Sequence, residues 1–258
     1  MTPLIRRGLL ADTSVRPAAA PSVSVIAREG ARRRLILFAA LGIAAYAVAI
    51  IATMPASVIV RNRPWRTGVA GTIWNGEVGI AGGSRLEWHW APLRSLTSLG
   101  FAVDWHATGG NTDLGGRAVI GPSTTALDSV SGRADASLLQ AIQPNLPFTC
   151  DLAVQVELPA VRVGSSAQRV EGRLATDAGS CTARPGGAAT ALPPLILTSE
   201  PIGTQSRMRL APATQRRRTL MTIVLDESGT VEFGMTPDGA RVLPFVGLPA
   251  GATIKGEI

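Results

Sequence analysis

"RLEWHWAPLRSLTSLGFAVDWHA", residues 85–107, carries the pattern that decides the fold. In its first six residues Leu86, Trp88 and Trp90 alternate with Arg85, Glu87 and His89. In its last seven Phe101, Val103 and Trp105 alternate with Ala102, Asp104 and His106. A period of two marks strands with one buried and one wetter face, and the stretch between, 93–99, reads as a short helical turn.

The same alternation recurs at Leu152, Val154, Val156 and Leu158. Further strands are expected at 68–74, 77–80, 115–120, 125–130, 169–175, 195–198, 206–210, 220–225 and 231–235, with one more helix at 137–142. The chain has 28 Gly and 18 Pro to punctuate these runs. A mainly β, antiparallel domain follows, as a curved open sheet, a groove or a partial barrel. "ARPGGAATALPP", 183–194, reads as a flexible loop between the early and late strands.

Upstream lies "LILFAALGIAAYAVAIIATM", residues 35–54, without one charge. An α-helix of that length covers about 30 Å, one bilayer core. Pro55 follows and marks its end. A cleaved signal peptide has a shorter apolar core, and "ATMPAS" is a poor cleavage site, so a retained single span is expected. Three segments result: a disordered basic tail at 1–34, a transmembrane helix at 35–54 and a β-rich domain at 55–258.

Charge orients the span. The 258 residues carry 25 Lys and Arg against 18 Asp and Glu. Seven of those Arg lie in 1–34 with only Asp12 and Glu29, which leaves 18 basic against 16 acidic groups beyond it. A nucleic-acid binder carries its basic patch on the folded domain, and this chain does not. Within twenty residues of the span, Arg16, Arg28, Arg32, Arg33 and Arg34 on one side face Arg61, Arg63 and Arg66 on the other. The positive-inside rule then keeps the N-terminus cytoplasmic and exports the C-terminal domain.

The two cysteines, Cys150 and Cys181, both fall in the exported part. In a compartment that permits disulfides such an isolated pair reads as a bridge. Two buried free thiols are the alternative. No His stands near either, so a metal site is not expected.

All five Trp (65, 74, 88, 90 and 105) fall within 41 residues. In "GTIWNG", residues 71–76, Asn75-Gly76 reads as a type I′ hairpin corner, with Trp74 as the last strand residue before it. Indoles on neighbouring strands would form a cross-strand cluster. That cluster is either a filled core or an apolar groove for a lipid or a partner strand.

No motif for catalysis is present: neither a phosphate-binding glycine loop, nor G-x-S-x-G, nor H-E-x-x-H. His89 and His106, the only histidines, sit on the wetter phase and read as solvated or paired with Asp104 or Glu87. Arg216, Arg217 and Arg218 read as a solvated charge run. No catalytic residue, cofactor or metal is expected.

A span ending at Pro55-Ala56, then Gly71, Thr72, Trp74, Asn75 and Gly76, then "WAPLRSL" at 90–96 resembles the type II secretion system protein N family (general secretion pathway protein N). The resemblance is carried by residues 35–105. It implies a non-catalytic, single-pass protein of the bacterial inner membrane with a periplasmic domain. Such a protein would contact other inner-membrane secretion components and support the export of folded proteins across the outer membrane. The Gly-Trp-Gly corner is also similar to that of periplasmic β-groove proteins of the AsmA-like group, which implies lipid binding or transfer instead. An open apolar groove along the whole sheet would favour the lipid reading, and a filled core the assembly reading.

Overall fold

A computed structural model describes residues 23–58, 60, 65–164 and 168–257. The tail 1–22 and the charges Arg61 and Arg63 therefore lie outside the described residues. The chain divides into two compact units, one up to Ile51 and one from Ala52 to Ile258.

Among the described residues the first unit is formed by helix α1 (Val23–Ala52) up to Ile51. Its segment Arg32–Ala52 is long and apolar enough to cross a membrane. Leu35, Phe38 and Tyr46 are exposed, each by about 70%. A helix apolar on all sides and uncovered by protein is one that lipid solvates. It stops three residues before Pro55, as the restricted backbone ahead of a proline requires. It begins twelve residues before the apolar run, because Ala, Arg and Glu at 27–34 are good helix formers and extending an existing helix costs little.

The second unit contains β1 (Arg66–Gly71), β2 (Asn75–Ile80), β3 (Ser84–Trp90), β4 (Phe101–Gly109), β5 (Thr112–Ile120), β6 (Thr124–Asp135), β7 (Phe148–Asp151) and β8 (Ala153–Gly164). It continues with β9 (Gln168–Thr176), β10 (Gly179–Ala183), β11 (Ala189–Leu192), β12 (Leu195–Ile202), β13 (Gln205–Pro212), β14 (Met221–Leu225), β15 (Thr230–Met235) and β16 (Thr253–Glu257). Short helices α2 (Pro92–Ser98), α3 (Ala136–Ile142) and α4 (Pro237–Val242) interrupt them. Among the described residues thirteen strands form one open antiparallel sheet in chain order, omitting β7, β10 and β11. Those three make a second sheet in the order β11-β10-β7.

A seam of irregularities crosses the middle of the large sheet. The β5–β6 register shifts between Gly115 and Arg117, and the β8–β9 register between Glu157 and Ala160. Pro159, which has no N–H for a ladder, falls within the second shift, where a central strand can hold it. Ser129 on the adjoining strand has φ 55. Bulges of this kind bend a strand and increase its twist.

The two halves of the sheet are filled differently. Beyond the seam, Leu195, Leu220 and Met235 pack with Cys181 and Leu192 of the small sheet and with Leu243 and Phe245 after α4. Phe148 of β7 meets Phe245 edge-on at 5.2 Å. The disulfide Cys150–Cys181 joins β7 to β10 across a directly opposed pair. The stretch expected as a loop at 183–194 thus holds β11, with Leu192 buried, because pairing to β10 specifies it where local composition does not. Strands β7, β10 and β16 and helix α4 are likewise additions to the sequence expectation.

Candidate functional site

On the N-terminal half no second sheet among the described residues covers the apolar face, and the site is built there. Register sets its floor. Gly71 opposes Gly76, Gly76 opposes Trp88, Trp88 opposes Trp105, and Trp105 opposes Gly116. Two indoles therefore lie side by side, with glycine on either flank. A Cβ on Gly76 would run into the Trp88 ring, and one on Gly116 would stand 3.0 Å from Trp105 Cζ2. The rings lie over the bare glycine backbone, which is how a sheet compensates a glycine with an aromatic neighbour.

Around these rings opens a cavity of about 510 Å³. Val78, Ile80, Leu86, Val103 and Ala118 supply its walls from β2 to β5. Ala56, Val60 and Trp65 close one side, and Leu138 of α3 another. Every lining side chain among the described residues is aliphatic or aromatic. The volume lies within the range of small-molecule sites, about 300–1,000 Å³. Trp88 Nε1 donates to the Ile73 carbonyl at 3.1 Å. Trp105 Nε1 is buried and has no hydrogen-bond partner among the described residues.

Leu138 also lines a second cavity of about 310 Å³, bounded by Phe148, Leu152, Val156 and Leu174. Helix α3 thus stands between two apolar spaces. It is fixed by Asp135, whose carboxylate accepts from the Ser137 N–H at 2.8 Å as its N-cap. The Ser137 side chain and backbone hold the Asp135 carboxyl below its ordinary pKa. Gln140 Nε2 donates to the Cys150 carbonyl at 3.1 Å, tying the helix to β7.

The "GTIWNG" corner differs from its sequence reading. Thr72 N–H donates to the Asn75 carbonyl at 2.8 Å, and Asn75 N–H donates to Thr72 Oγ1 at 3.2 Å. The turn tip is therefore Ile73-Trp74, while Asn75 and Gly76 already belong to β2. Positive φ falls on Gly71, at 83°, and not on Asn75 or Gly76. The Thr72 hydroxyl and the packing of Trp74 set this corner, so the Asn-Gly signal does not.

Trp74 packs at a tilt against Trp90, with ring centroids 4.6 Å apart, and against Phe101, at 5.9 Å. Trp90 is 38% exposed and donates from Nε1 to Ser95 Oγ at 2.9 Å. The five Trp therefore form two groups and not one cluster: 65, 88 and 105 at the cavity, 74 and 90 at the corner.

The polar candidates stay apart from the cavity. His89 opposes Asp104, and its Nδ1 lies 3.3 Å from Asn75 Oδ1. His106 opposes Glu87 but pairs with Asp113 at 2.6 Å. Arg218 pairs with Asp238 at 2.7 Å, and that bond holds the Asp238 carboxyl below its ordinary value. Among the described residues no three of His, Cys, Asp and Glu gather as a metal would need.

An open antiparallel sheet with an apolar cavity, in a chain with one candidate membrane span among the described residues, fits a membrane-associated β-sheet protein. The family model of the type II secretion system (T2SS), protein N, matches residues 62–238, more than half of the chain, and the chain belongs to that family. The match takes in the corner, the cavity strands and the small sheet. No curated protein and no solved structure matches the chain. Family membership and the apolar helix together fit a single-pass inner-membrane protein associated with type II secretion.

Proposed function

We propose that this chain is a non-catalytic accessory component of the type II secretion system that supports export of folded proteins across the outer membrane. The family match over 62–238 carries the reading. Its cytoplasmic tail covers 1–34, its span 35–54, and its periplasmic domain 55–258. The arginine bias around α1 supports that orientation. The Cys150–Cys181 bond supports an oxidising compartment for the domain. Its partners are other inner-membrane secretion components.

Deleting the chain from its own cell and restoring it from a plasmid tests the role. Type II cargo in the medium should fall on deletion and return on restoration. Equal secretion with and without the chain would overturn the proposal. A second reading, a β-groove protein that binds lipid, is favoured by the apolar cavity beside β2–β6.

A further inference from the structure

We infer that Arg216, Arg217 and Arg218, together with Arg241 of α4, form a docking surface for an acidic segment of a partner protein, rich in Asp and Glu. The inference does not rest on the role in secretion.

Three observations carry it. The first is uncompensated charge. All four arginines are exposed, and a single carboxylate, Asp238, serves two of them: it accepts from Arg218 Nε at 2.7 Å and also pairs with Arg241. Arg216 and Arg217 have no carboxylate partner among the described residues. Elsewhere in the second unit Arg85, Arg94, Arg133, Arg173 and Lys255 each stand beside a carboxylate. No other two basic residues are adjacent in sequence among the described residues of that unit. Like charges held together repel, and an anionic partner relieves that repulsion.

The second is rigid support. The arginines lie between β13 and β14 on two successive turns, in which Gln215 N–H donates to the Pro212 carbonyl at 3.0 Å and Arg218 N–H to the Gln215 carbonyl at 2.9 Å. Ala213 N–H donates to the Pro194 carbonyl at 2.9 Å and fixes one end. Thr236, the N-cap of α4, fixes the other: its Oγ1 donates to the Thr219 carbonyl at 2.9 Å and its N–H to the Leu220 carbonyl at 3.0 Å. A Cβ on Gly239 would run into the Leu220 carbonyl, so α4 lies directly against the end of the arginine run. A loop pinned at both ends has little backbone freedom left to lose on binding.

The third is the kind of anion that fits. Arg218 engages Asp238 through Nε, which leaves its Nη groups for a second acceptor. The planar guanidinium fork matches the two oxygens of a carboxylate. No large apolar side chain between 203 and 253 is exposed among the described residues. A surface that settles on a bilayer adds apolar side chains to its basic ones, and this one does not. A protein segment therefore fits it better than a membrane.

The test uses the full chain in uncharged detergent micelles and a fluorescein-labelled decaglutamate peptide. Binding is followed by fluorescence anisotropy at about 0.15 M salt. The peptide should bind the parent, and should bind R216Q/R217Q about 2–30-fold more weakly, as for two exposed ion pairs lost. R6Q/R7Q, which removes the same number of charges from the N-terminal tail, should bind like the parent. Arg216 and Arg217 have no partner to lose, so R216Q/R217Q should also melt like the parent.

A parent that does not bind the peptide overturns the inference. R216Q/R217Q binding as tightly as the parent overturns it too, and so does a loss confined to R6Q/R7Q, which would move the attraction to the tail. The same micelles supplemented with phosphatidylglycerol read the membrane alternative by native mass spectrometry. More of this lipid retained on the parent than on R216Q/R217Q, with no binding of the peptide, would assign the arginines to anionic headgroups and overturn the protein partner. No secretion component is present in any of these measurements, so their outcomes leave the role in secretion untouched.

Discussion

Gly76 has no side chain because the Trp88 ring occupies the place of one. The sequence suggests a different need, a positive φ in an Asn-Gly turn, and the same substitution is harmful for either reason. The mechanisms separate on the smallest change. Gly76 does not have a positive φ, so Gly76→Ala meets only the ring, and overpacking of this kind costs about 1–3 kcal/mol. Thermal unfolding of the full chain in detergent, followed by tryptophan emission, should show a midpoint a few degrees lower. A G76A protein that melts with the parent would mean the indole swings aside freely. Trp74 shifts the other way. As a half-buried turn-tip residue packed on exposed Trp90, it should cost well below the about 3–5 kcal/mol of a core tryptophan when changed to Ala. A loss of that full size would return Trp74 to the core. The identities at this corner were legible in the sequence, but the roles were not. A glycine opposite a tryptophan on the next strand is a relation of register, invisible until the strands are paired.

The short elements show the same limit. Long alternating strands such as β4 and β8 can be read directly from the sequence, because burial on one face imposes the period. Strands β10 and β11 are five and four residues rich in Ala, Thr and Gly, and pairing across Cys181↔Thr190 specifies them where propensity does not. The cysteine pair was the one legible sign of the small sheet. Its bond closes a separation of 31 residues, worth about 3–4 kcal/mol in the chain-entropy model. Adding reductant to the folded protein should therefore lower its melting midpoint, and C150S/C181S should melt at the lower value with or without reductant. An unchanged midpoint in both would mean that the bond adds no stability. Helix α3 makes a pH prediction. The Asp135 carboxyl is held below its ordinary pKa by the Ser137 hydroxyl and N–H, so folding favours its ionised form. Its contribution is complete above the unfolded pKa, about 3.9, and is lost as pH falls through the folded value. Asp135→Ala should cost about 1 kcal/mol at neutral pH, as for a lost N-cap, and the gap to the parent should narrow below about pH 4. Melting curves from pH 3 to 7 check this, and a gap constant across that range would exclude the ionised cap.

The chain carries a helix that lipid can solvate and a sheet packed around Leu195, Leu220 and Met235, with apolar cavities on either side of α3. The antiparallel meander follows from alternation and turn composition. Where the sheet is packed does not, because it depends on where the chain leaves the large sheet to form β7, β10 and β11. Orientation across the membrane is the property for which the sequence alone supplies the argument. Five arginines within twenty residues before the apolar run stand against three after it, and Arg32, Arg33 and Arg34 adjoin it. Basic residues this near a span resist translocation, so the N-terminus should stay in the cytoplasm and the sheet should be exported. A reporter enzyme active only in the periplasm, fused after Ile258, should be active, and a reporter that fluoresces only in the cytoplasm should be dark at the same position. Replacing Arg32, Arg33 and Arg34 with Ala leaves two arginines against three and reverses the bias. That variant should lose periplasmic activity in a substantial fraction of the molecules, with cytoplasmic signal rising to match. A bright cytoplasmic reporter on the unaltered chain would invert the topology. It would also place Cys150 and Cys181 in a reducing compartment, where their bond would not persist.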